Sequence, residues 1–210
     1  MKKGNSYQID AEKFLNRAER KQLLKATKEK ADLDLLKGRQ SWVVRYMLVD
    51  LALYSGLRVA ELADLKIGDL TLTGSTPNLI VRKGKGDKKR SVYIDKELVK
   101  HLKEYITYKR TTLKEDINDD SPLFTGRGGK NAQPITLMKS FQVATKHAGL
   151  PKHYSIHSAR HTYATYLLQD SKNLKYVQRQ LGHSNISMTA LYADIAPEEN
   201  AKLAEMISRD

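Results

Sequence analysis

The chain has 210 residues, 40% of them hydrophobic, and it carries a formal net charge of +13 and a sequence pI of about 9.7. This length accommodates one large domain or two small ones, and the apolar content excludes a largely disordered chain. The cationic excess favours a polyanionic partner, duplex DNA or RNA first, although a soluble basic protein without such a partner has the same composition. Because there is no cysteine, disulfide frameworks, thiol catalysis and cysteine-based zinc sites are excluded.

The sequence shows neither a membrane span nor a secretory signal. No apolar run approaches the roughly 20 residues that cross a bilayer. The N-terminal residues, MKKGNSYQIDAEKF, are charged and lack the hydrophobic core of a signal peptide. We therefore expect a cytoplasmic protein with no membrane partner.

The first predicted elements are helices. Residues 1–15 are predicted as a leader or linker, and Asn16 with Glu19 forms a capping-box pattern that predicts a helix from about residue 17 to 30. A short linker follows. The next predicted helix, over residues 42–54, is apolar on nearly every side, which is typical of a helix at the centre of a core.

A change of pattern predicts a small sheet. Three runs alternate apolar and polar residues between turn signals, which predicts two or three antiparallel strands: 70–72, 78–81 and 91–94. The glycine-rich reversal K-G-K-G-D-K-K separates the last two. More helices are predicted after the sheet, over residues 96–114, 136–148, 158–170 and 173–181. The predicted fold class is therefore mainly α with a small antiparallel β-sheet (α+β).

The stretch from His157 to Tyr192 concentrates residues suited to phosphate chemistry. It contains H-S-A-R-H, with His157, Arg160 and His161 close together around a helix start, and L-G-H, which ends at His183. Tyr192 follows nine residues after His183. Arginine binds phosphate through its planar fork, and a tyrosine hydroxyl becomes a nucleophile once its proton is removed. The pattern predicts a site in which a phenol attacks a phosphate.

Two other interpretations of these residues are open. The i, i+4 spacing of His157 and His161 matches the zinc motif H-E-x-x-H, but Ser158 replaces the glutamate and Arg160 would repel a cation. We therefore expect no metal. The cluster is also compatible with a phosphate clamp that catalyses nothing. The position of Tyr192 after a helix break argues against a clamp, although a tyrosine there is also compatible with a core residue.

These motifs resemble those of the tyrosine recombinase family, also called phage integrases. The resemblance rests on H-x-x-R-H-T, L-G-H and Tyr192, and on two upstream segments. Y-S-G-L-R-V-A-E-L, residues 54–62, resembles the segment with the family's first catalytic arginine. V-R-K-G-K-G-D-K-K-R, residues 81–90, resembles its lysine-bearing β-turn. The motifs occur in the family's order and span most of the chain.

The resemblance implies a role for each matching residue. It assigns six catalytic residues: Arg58, Lys85, His157, Arg160, His183 and the nucleophile Tyr192. The two arginines would bind the non-bridging phosphate oxygens as charge builds on them. His157 would take the tyrosine proton, His183 would hydrogen-bond a non-bridging oxygen, and Lys85 would protonate the departing 5′ oxygen.

Other residues are expected to support this chemistry. Glu61, three residues after Arg58, would hold that arginine by an ion pair. His161 resembles a family residue placed just behind the site. The cationic hairpin would bind the DNA backbone through four further side chains: Lys83, Lys88, Lys89 and Arg90.

The activity that the resemblance implies is site-specific DNA recombination. The enzyme would cleave and rejoin strands through a 3′-phosphotyrosyl intermediate, in integration, excision or inversion of DNA. Because that bond keeps the energy of the broken linkage, neither a metal nor a nucleotide cofactor is expected. Two alternatives remain: a DNA-relaxing enzyme like a type IB topoisomerase, and a DNA-binding regulator that does not cleave.

The expected partner is double-stranded DNA, on which the resemblance implies a homotetramer. A monomer away from DNA and accessory DNA-bending proteins are compatible with the sequence. An amphipathic helix predicted over residues 197–208 would dock on a neighbour or pack on its own core. Residues 16–210 would form the catalytic domain. The family's separate N-terminal domain has no counterpart before residue 16, so we expect a piece of a longer protein or a short member resembling the single-domain invertases.

Overall fold

The structure, a computed structural model, describes residues 13–82 and 89–192. Its helices are α1 (Arg17–Leu36), α2 (Ser41–Ser55), α3 (Val59–Asp64), α4 (Lys96–Thr111), α5 (Pro134–His147), α6 (Ile156–Ser171), α7 (Leu174–Leu181) and α8 (Ser187–Ala190). Its strands are β1 (Leu70–Thr71), β2 (Asn78–Val81) and β3 (Arg90–Tyr93). The predicted mainly helical fold with a small antiparallel sheet is confirmed.

Helix α1 begins where the sequence predicts but extends further. The Asn16 side chain accepts a hydrogen bond from the Glu19 N–H, and the Glu19 carboxylate accepts one from the Asn16 N–H, both at 2.9 Å. The helix continues through part of the predicted linker, where Asp34 is buried. The Asp34 carboxylate accepts from the Arg39 side chain and from the Trp42 N–H, each at 3.0 Å. These two bonds join the end of α1 to the start of α2.

The three strands form one antiparallel sheet in the order β1-β2-β3. Asn78 pairs with Tyr93 and Val81 pairs with Arg90, so β2 and β3 are in register along their full length. Alternation along the strands turns one face towards the core, which buries Leu79, Val81 and Val92. The strand bounds agree with the predicted ones to within one residue. The predicted hairpin tip, with Lys83, Lys85 and Lys88, falls on residues 83–88, which lie outside the described residues.

Helix α2 occupies the centre of the main core, as its sequence predicts. It packs against α1, α4, α5 and α6. Side chains on several of its faces are fully buried, including Met47, Leu48, Leu51 and Leu53. A helix that is apolar on nearly every side excludes water only when neighbours cover all of those sides, and this packing provides the cover.

A second, smaller apolar cluster lies between α6 and α7. Its buried members are Ala164, Val177, Leu181 and Tyr192, with Tyr163, Leu167, Leu168 and Leu191 packed around them. This cluster is separate from the main core. It packs the end of α7, Leu191 and Tyr192 against α6.

Several predictions concern residues outside the described ranges. The predicted helix over residues 197–208 lies there, as do the first 12 residues of the predicted leader. Within residues 13–82 and 89–192, none of the helices combines the length and the apolar character that crossing a membrane requires.

Gly56 shapes the turn between α2 and α3. It ends α2 in the left-handed region, with φ of 61°. A Cβ at this position would collide with the ring of Tyr163 and would lie 3.1 Å from the Leu181 side chain. Its carbonyl oxygen accepts a hydrogen bond from the Arg160 guanidinium at 2.5 Å. Glycine is therefore required for the backbone conformation and for the close approach of α6 and α7.

We expect Gly56→Ala to lower the free energy of unfolding more than Gly38→Ala. Gly38 has a similar φ of 63°, but nothing lies within 4 Å of its Cβ position. Gly38→Ala should therefore show only the left-handed backbone penalty, about 1 kcal/mol. Gly56→Ala should add about 1–3 kcal/mol of overpacking. Urea unfolding of the three proteins gives both values, and equal losses in the two variants would contradict the close packing at Gly56.

Candidate active site

One cavity brings together most of the residues that the sequence singles out. It has a volume of about 360 Å³ and is lined by Arg58, His157, Arg160, His161, His183, Met188, Leu191 and Tyr192. Arg58 lies immediately before α3, and the H-S-A-R-H residues occupy the first two turns of α6. His183 follows the end of α7, and Tyr192 follows α8. Four separate segments therefore converge on this cavity.

Tyr192 is buried except where it faces the cavity. The residue is 5% exposed, and its side chain packs in the small cluster with Ala164, Val177 and Leu181. The ring of His183 lies nearly parallel to it, with 12° between the planes and 6.5 Å between the centroids. Tyr192 is therefore buried, as expected of a core tyrosine, and it also lines the cavity, as expected of a reactive one.

The Tyr192 hydroxyl contacts His161. The hydroxyl oxygen lies 3.0 Å from His161 Nδ1. Burial, together with the positive charge of Arg160, lowers the pKa of His161 to about 4, so its imidazole is neutral at pH 7. The sequence placed His161 just behind the site and gave His157 the contact with the tyrosine. The structure instead places His161 at the hydroxyl, and it places His157 on an exposed part of the cavity wall.

Main-chain oxygens hold Arg160 in the middle of the site. Its Nη1 donates to the Gly56 carbonyl at 2.5 Å, and its Nη2 donates to the Leu181 carbonyl at 2.9 Å. The side chain is only 8% exposed. Burial and the neighbouring Arg58 lower the pKa of Arg160 to about 10, which leaves it protonated at neutral pH. Arg160 is thus a buried cation whose orientation is fixed by two helix ends.

His183 accepts a hydrogen bond in this structure. Its Nε2 lies 3.0 Å from Arg160 Nη2, and its Nδ1 lies 3.0 Å from the Thr189 hydroxyl oxygen. An arginine can only donate, so Nε2 is unprotonated in this arrangement. Burial and the nearby arginines lower the pKa of His183 to about 4, which agrees with a neutral ring. Donation from Nε2 to a phosphate oxygen requires a proton that this arrangement lacks.

Glu61 holds Arg58, the ion pair expected from their spacing. Arg58 Nη1 donates to Glu61 Oε1 at 3.0 Å, and the Arg58 main-chain N–H donates to Oε2 at 2.8 Å. The Glu61 side chain is 6% exposed. Burial alone would raise the pKa of Glu61, but hydrogen bonds from Arg90 and Arg58 lower it below its usual value. The carboxylate is therefore ionised.

Arg90 does not fit its predicted role. The sequence placed it on a hairpin surface that binds the DNA backbone. Its side chain is only 12% exposed and its guanidinium donates to Glu61 twice, from Nη1 to Oε1 at 2.8 Å and from Nη2 to Oε2 at 2.9 Å. These contacts turn the guanidinium into the protein and occupy the face that a phosphate would bind. Lys89, the preceding residue, is exposed.

The charges around the cavity favour an anion. Arg58 and Arg90 both bind Glu61, and Arg160 Nη1 lies 4.0 Å from the same carboxylate. Three guanidinium groups around one carboxylate leave a positive excess beside the Tyr192 hydroxyl. Among the described residues, no group of three or more histidine, aspartate or glutamate side chains is arranged to hold a metal ion.

Sequence reasoning missed three contributors to the site. They are Arg90, which binds Glu61, Gln180, whose carbonyl accepts a hydrogen bond from Arg90 Nε at 3.2 Å, and Thr189, whose hydroxyl contacts His183. A signal existed for the first, because Arg90 is two residues from the buried Val92 and therefore shares its face of the strand. Gln180 lies three residues after the buried Val177 and shares its face of α7. Thr189 carried no comparable signal.

Comparison with known proteins places the chain in a family. The sequence profile of the phage integrase family matches residues 13–199. The chain is 33% identical over 151 residues to a tyrosine recombinase of Thermosipho africanus, covering 72% of this chain and 50% of that protein. It is 34% identical over 158 residues to the tyrosine recombinase XerC of Neisseria meningitidis serogroup B, covering 75% and 50%. The chain thus spans about half the length of these curated relatives.

Solved structures show the same fold. The crystal structure of the XerA recombinase superposes with a TM-score of 0.73 at 30% identity, over 94% of this chain and 66% of that chain. The XerH site-specific recombinase, in a post-cleavage complex with a palindromic difH substrate, also superposes with a TM-score of 0.73, at 26% identity over 92% and 52% of the two chains. Because the family profile matches nearly its whole length, the chain belongs to the phage integrase family, and these two curated relatives are named tyrosine recombinases.

Proposed function

We propose that this chain is the catalytic part of a site-specific DNA recombinase, which cleaves a strand by joining Tyr192 to its 3′ phosphate. One observation carries the proposal: the Tyr192 hydroxyl, three histidines and two arginines line a single cavity. A clamp that only bound phosphate would need the arginines but no tyrosine hydroxyl at the same cavity. The arrangement supplies both a nucleophile and donors for a phosphodiester.

Double-stranded DNA is the proposed substrate. The formal net charge of +13 favours a polyanion, and the cluster of Arg58, Arg90 and Arg160 around Glu61 leaves a local positive excess. The XerH relative is described as bound to difH substrate. Lys83, Lys88 and the exposed Lys89 belong to the hairpin segment that the proposal assigns to the DNA backbone.

The proposed step exchanges one phosphate ester for another. The Tyr192 oxygen attacks the phosphorus, a tyrosine O–P bond forms, and the bond to the 5′ oxygen of the next nucleotide breaks. Arg58 and Arg160 stabilise the negative charge on the non-bridging oxygens of the five-coordinate transition state. Attack by the freed 5′ hydroxyl of another strand reverses these bond changes and releases Tyr192. The number of ester bonds is conserved, so the cycle needs no ATP.

Two proton transfers accompany the step. We assign removal of the Tyr192 proton to His161, because its Nδ1 is 3.0 Å from the hydroxyl oxygen and its imidazole is neutral. His157, which lines the same cavity, is the alternative acceptor. Lys85, because of its position in the K-G-K-G segment, is the proposed acid that protonates the leaving 5′ oxygen.

The proposed role of His183 depends on the bound phosphate. A phosphodiester anion in the cavity favours the protonated imidazole, since opposite charges attract at close range. Protonation of Nε2 is incompatible with its hydrogen bond from Arg160, so it releases an Arg160 N–H. Both groups can then donate to the non-bridging oxygens. DNA binding would thereby convert a hydrogen bond between two protein groups into two hydrogen bonds to the substrate.

Covalent trapping tests the proposed reaction. We expect the wild-type protein, incubated without metal with pooled nicked duplexes whose cleavage releases a short fragment, to form a protein–DNA adduct on a denaturing gel. Tyr192→Phe removes the attacking oxygen and should abolish the adduct. Tyr163→Phe is the matched control, because Tyr163 packs in the same apolar cluster but lies away from the cavity lining.

The outcomes separate the candidate activities. Adduct formation by Tyr192→Phe would assign the nucleophile to another residue. Tight duplex binding without any adduct would favour the DNA-binding regulator over a recombinase. Relaxation of supercoiled plasmid without exchange between two sites would favour the topoisomerase-like alternative.

We expect His161 and His183 to stay neutral in the DNA-free protein down to about pH 4, where their lowered pKa values lie. Histidine in an unfolded chain titrates near pH 6.5. Between about pH 6.5 and 4 the unfolded chain therefore binds more protons than the folded one, so stability falls as the pH falls through this window. Imidazole NMR of the ¹⁵N-histidine-labelled protein measures the titrations, and thermal unfolding at several pH values measures the stability.

One variant separates the contribution of His183 to the pH dependence of stability from the contributions of other groups. His183→Gln removes one titrating ring, so its unfolding midpoint should depend less on pH than that of the wild type in the same window. A His183 resonance that titrates near pH 6.5 without DNA would contradict the neutral, Arg160-bonded ring. Added DNA should raise the pKa of His183 if the phosphate occupies the cavity.

A further inference from the structure

Arg90 links three segments of the protein. Besides its two bonds to the Glu61 carboxylate, its Nε donates to the Gln180 carbonyl at 3.2 Å. Arg90 itself begins β3, Glu61 lies in α3, and Gln180 lies in the last turn of α7. One guanidinium therefore connects the base of the hairpin to the two elements that present Arg58 and His183.

The end of α7 is fixed to β3 by further close contacts. Gln180 is 1% exposed, and its side-chain oxygen accepts from the Tyr93 N–H of β3 at 3.1 Å. Within α7, its Nε2 donates to the Tyr176 hydroxyl at 2.7 Å, which orients the amide. A Cβ at Gly182 would lie 2.8 Å from Arg90 Cδ. The backbone immediately before His183 therefore lies directly against the Arg90 side chain.

These contacts connect Arg90 to Arg58 and to Arg160, the proposed phosphate-binding groups, by two routes. Glu61, which Arg90 holds, also holds the Arg58 guanidinium and main-chain N–H. Gln180, which Arg90 also holds, is next to Leu181, whose carbonyl orients Arg160. A shift of Arg90 would be passed to both arginines that the proposed reaction uses.

We propose that Arg90 is a positioning residue, which fixes the positions of Arg58 and Arg160 relative to the Tyr192 hydroxyl through Glu61 and Gln180. This inference rests on the proposed recombinase function and replaces the predicted contact of Arg90 with the DNA backbone. Arg90 does not touch the substrate. Its effect is on the rate of cleavage of bound DNA, and it makes the position of the hairpin base a determinant of the geometry of the site.

Lysine cannot substitute fully for Arg90. The planar guanidinium makes three hydrogen bonds with fixed mutual directions, two to the carboxylate and one to the Gln180 carbonyl. A lysine ammonium supplies the charge for Glu61 but not the fork. Arg90→Lys therefore separates the requirement for charge from the requirement for geometry, and it also provides a variant that keeps the buried carboxylate compensated.

The test measures DNA binding and cleavage separately. Arg90→Gln and Arg90→Lys are compared with the wild type in the dissociation constant for a cleavable duplex, its salt dependence, and the single-turnover rate of adduct formation at saturating DNA. Arg110→Gln, a change of the same type at an exposed residue of α4, is the charge-matched control. Lys89→Gln serves in the binding measurement alone, as the reference for loss of an exposed hairpin cation.

We expect both Arg90 variants to bind duplex with the wild-type salt slope and to form the adduct about ten- to hundredfold more slowly, since a small misplacement of positioned groups costs this much rate. Arg90→Lys should be the less impaired of the two. Lys89→Gln should lower the salt slope, as expected for a lost phosphate contact. Rates are compared at a temperature where circular dichroism shows every variant fully folded.

A double-mutant cycle with Glu61→Gln checks that Arg90 acts through the carboxylate. Residues in one ion-pair network are not additive. The double variant Glu61→Gln/Arg90→Gln should therefore be no slower than the slower single variant. Its thermal midpoint should fall by less than the sum of the two single shifts.

The outcomes distinguish this inference from the proposed function. A lower salt slope for both Arg90 variants would restore the DNA-backbone role and overturn the positioning role. A wild-type cleavage rate in Arg90→Lys and Arg90→Gln, or additive effects in the cycle, would overturn the inference while leaving the recombinase proposal intact. Absence of an adduct from the wild-type protein itself would overturn the proposed function, and the positioning role would fall with it.

Discussion

The ion pairs around the Glu61 carboxylate are the constraint on which the rest of the site depends. A carboxylate this deeply buried is stable only when cations and hydrogen-bond donors compensate it, and Arg58 and Arg90 do so at 2.8 to 3.0 Å. The two arginines in turn require the carboxylate, because each would otherwise repel the other. This mutual requirement fixes the relative positions of α3 and β3, and it leaves enough positive charge to attract a phosphate.

Helix ends provide the second set of constraints. Gly56 and Gly182 both adopt left-handed conformations, with φ of 61° and 65°, and they end α2 and α7. At such ends the last carbonyl groups have no partner within the helix. Arg160 binds two of these oxygens, those of Gly56 and Leu181. The buried guanidinium therefore satisfies groups that the fold would otherwise leave unpaired, and the fold orients the guanidinium in return.

Local patterns in the sequence were sufficient to predict the fold class, the start of α1 and the bounds of the strands. They were also sufficient to choose most of the residues that line the cavity, because the motifs preserve the spacing of those residues. The direction of the Arg90 side chain and the contact between His161 and Tyr192 depend on partners 29 and 31 residues away. The later end of α1 likewise depends on Asp34 bonding across to the next helix. Such long-range contacts leave little trace in local periodicity.

The small apolar cluster that contains Tyr192 is separate from the main core, so local and global stability can differ. The main core buries α2 on all sides, whereas, among the described residues, the tyrosine ring packs in a separate cluster formed mostly by side chains of α6 and α7. Proteins open locally wherever few apolar contacts hold a segment, at a free energy below that of global unfolding. Loss of the packing between α6 and α7 would displace the Tyr192 ring without disrupting the contacts that bury α2. The position of the Tyr192 hydroxyl therefore depends more directly on the local packing of α6 and α7 than on the main core.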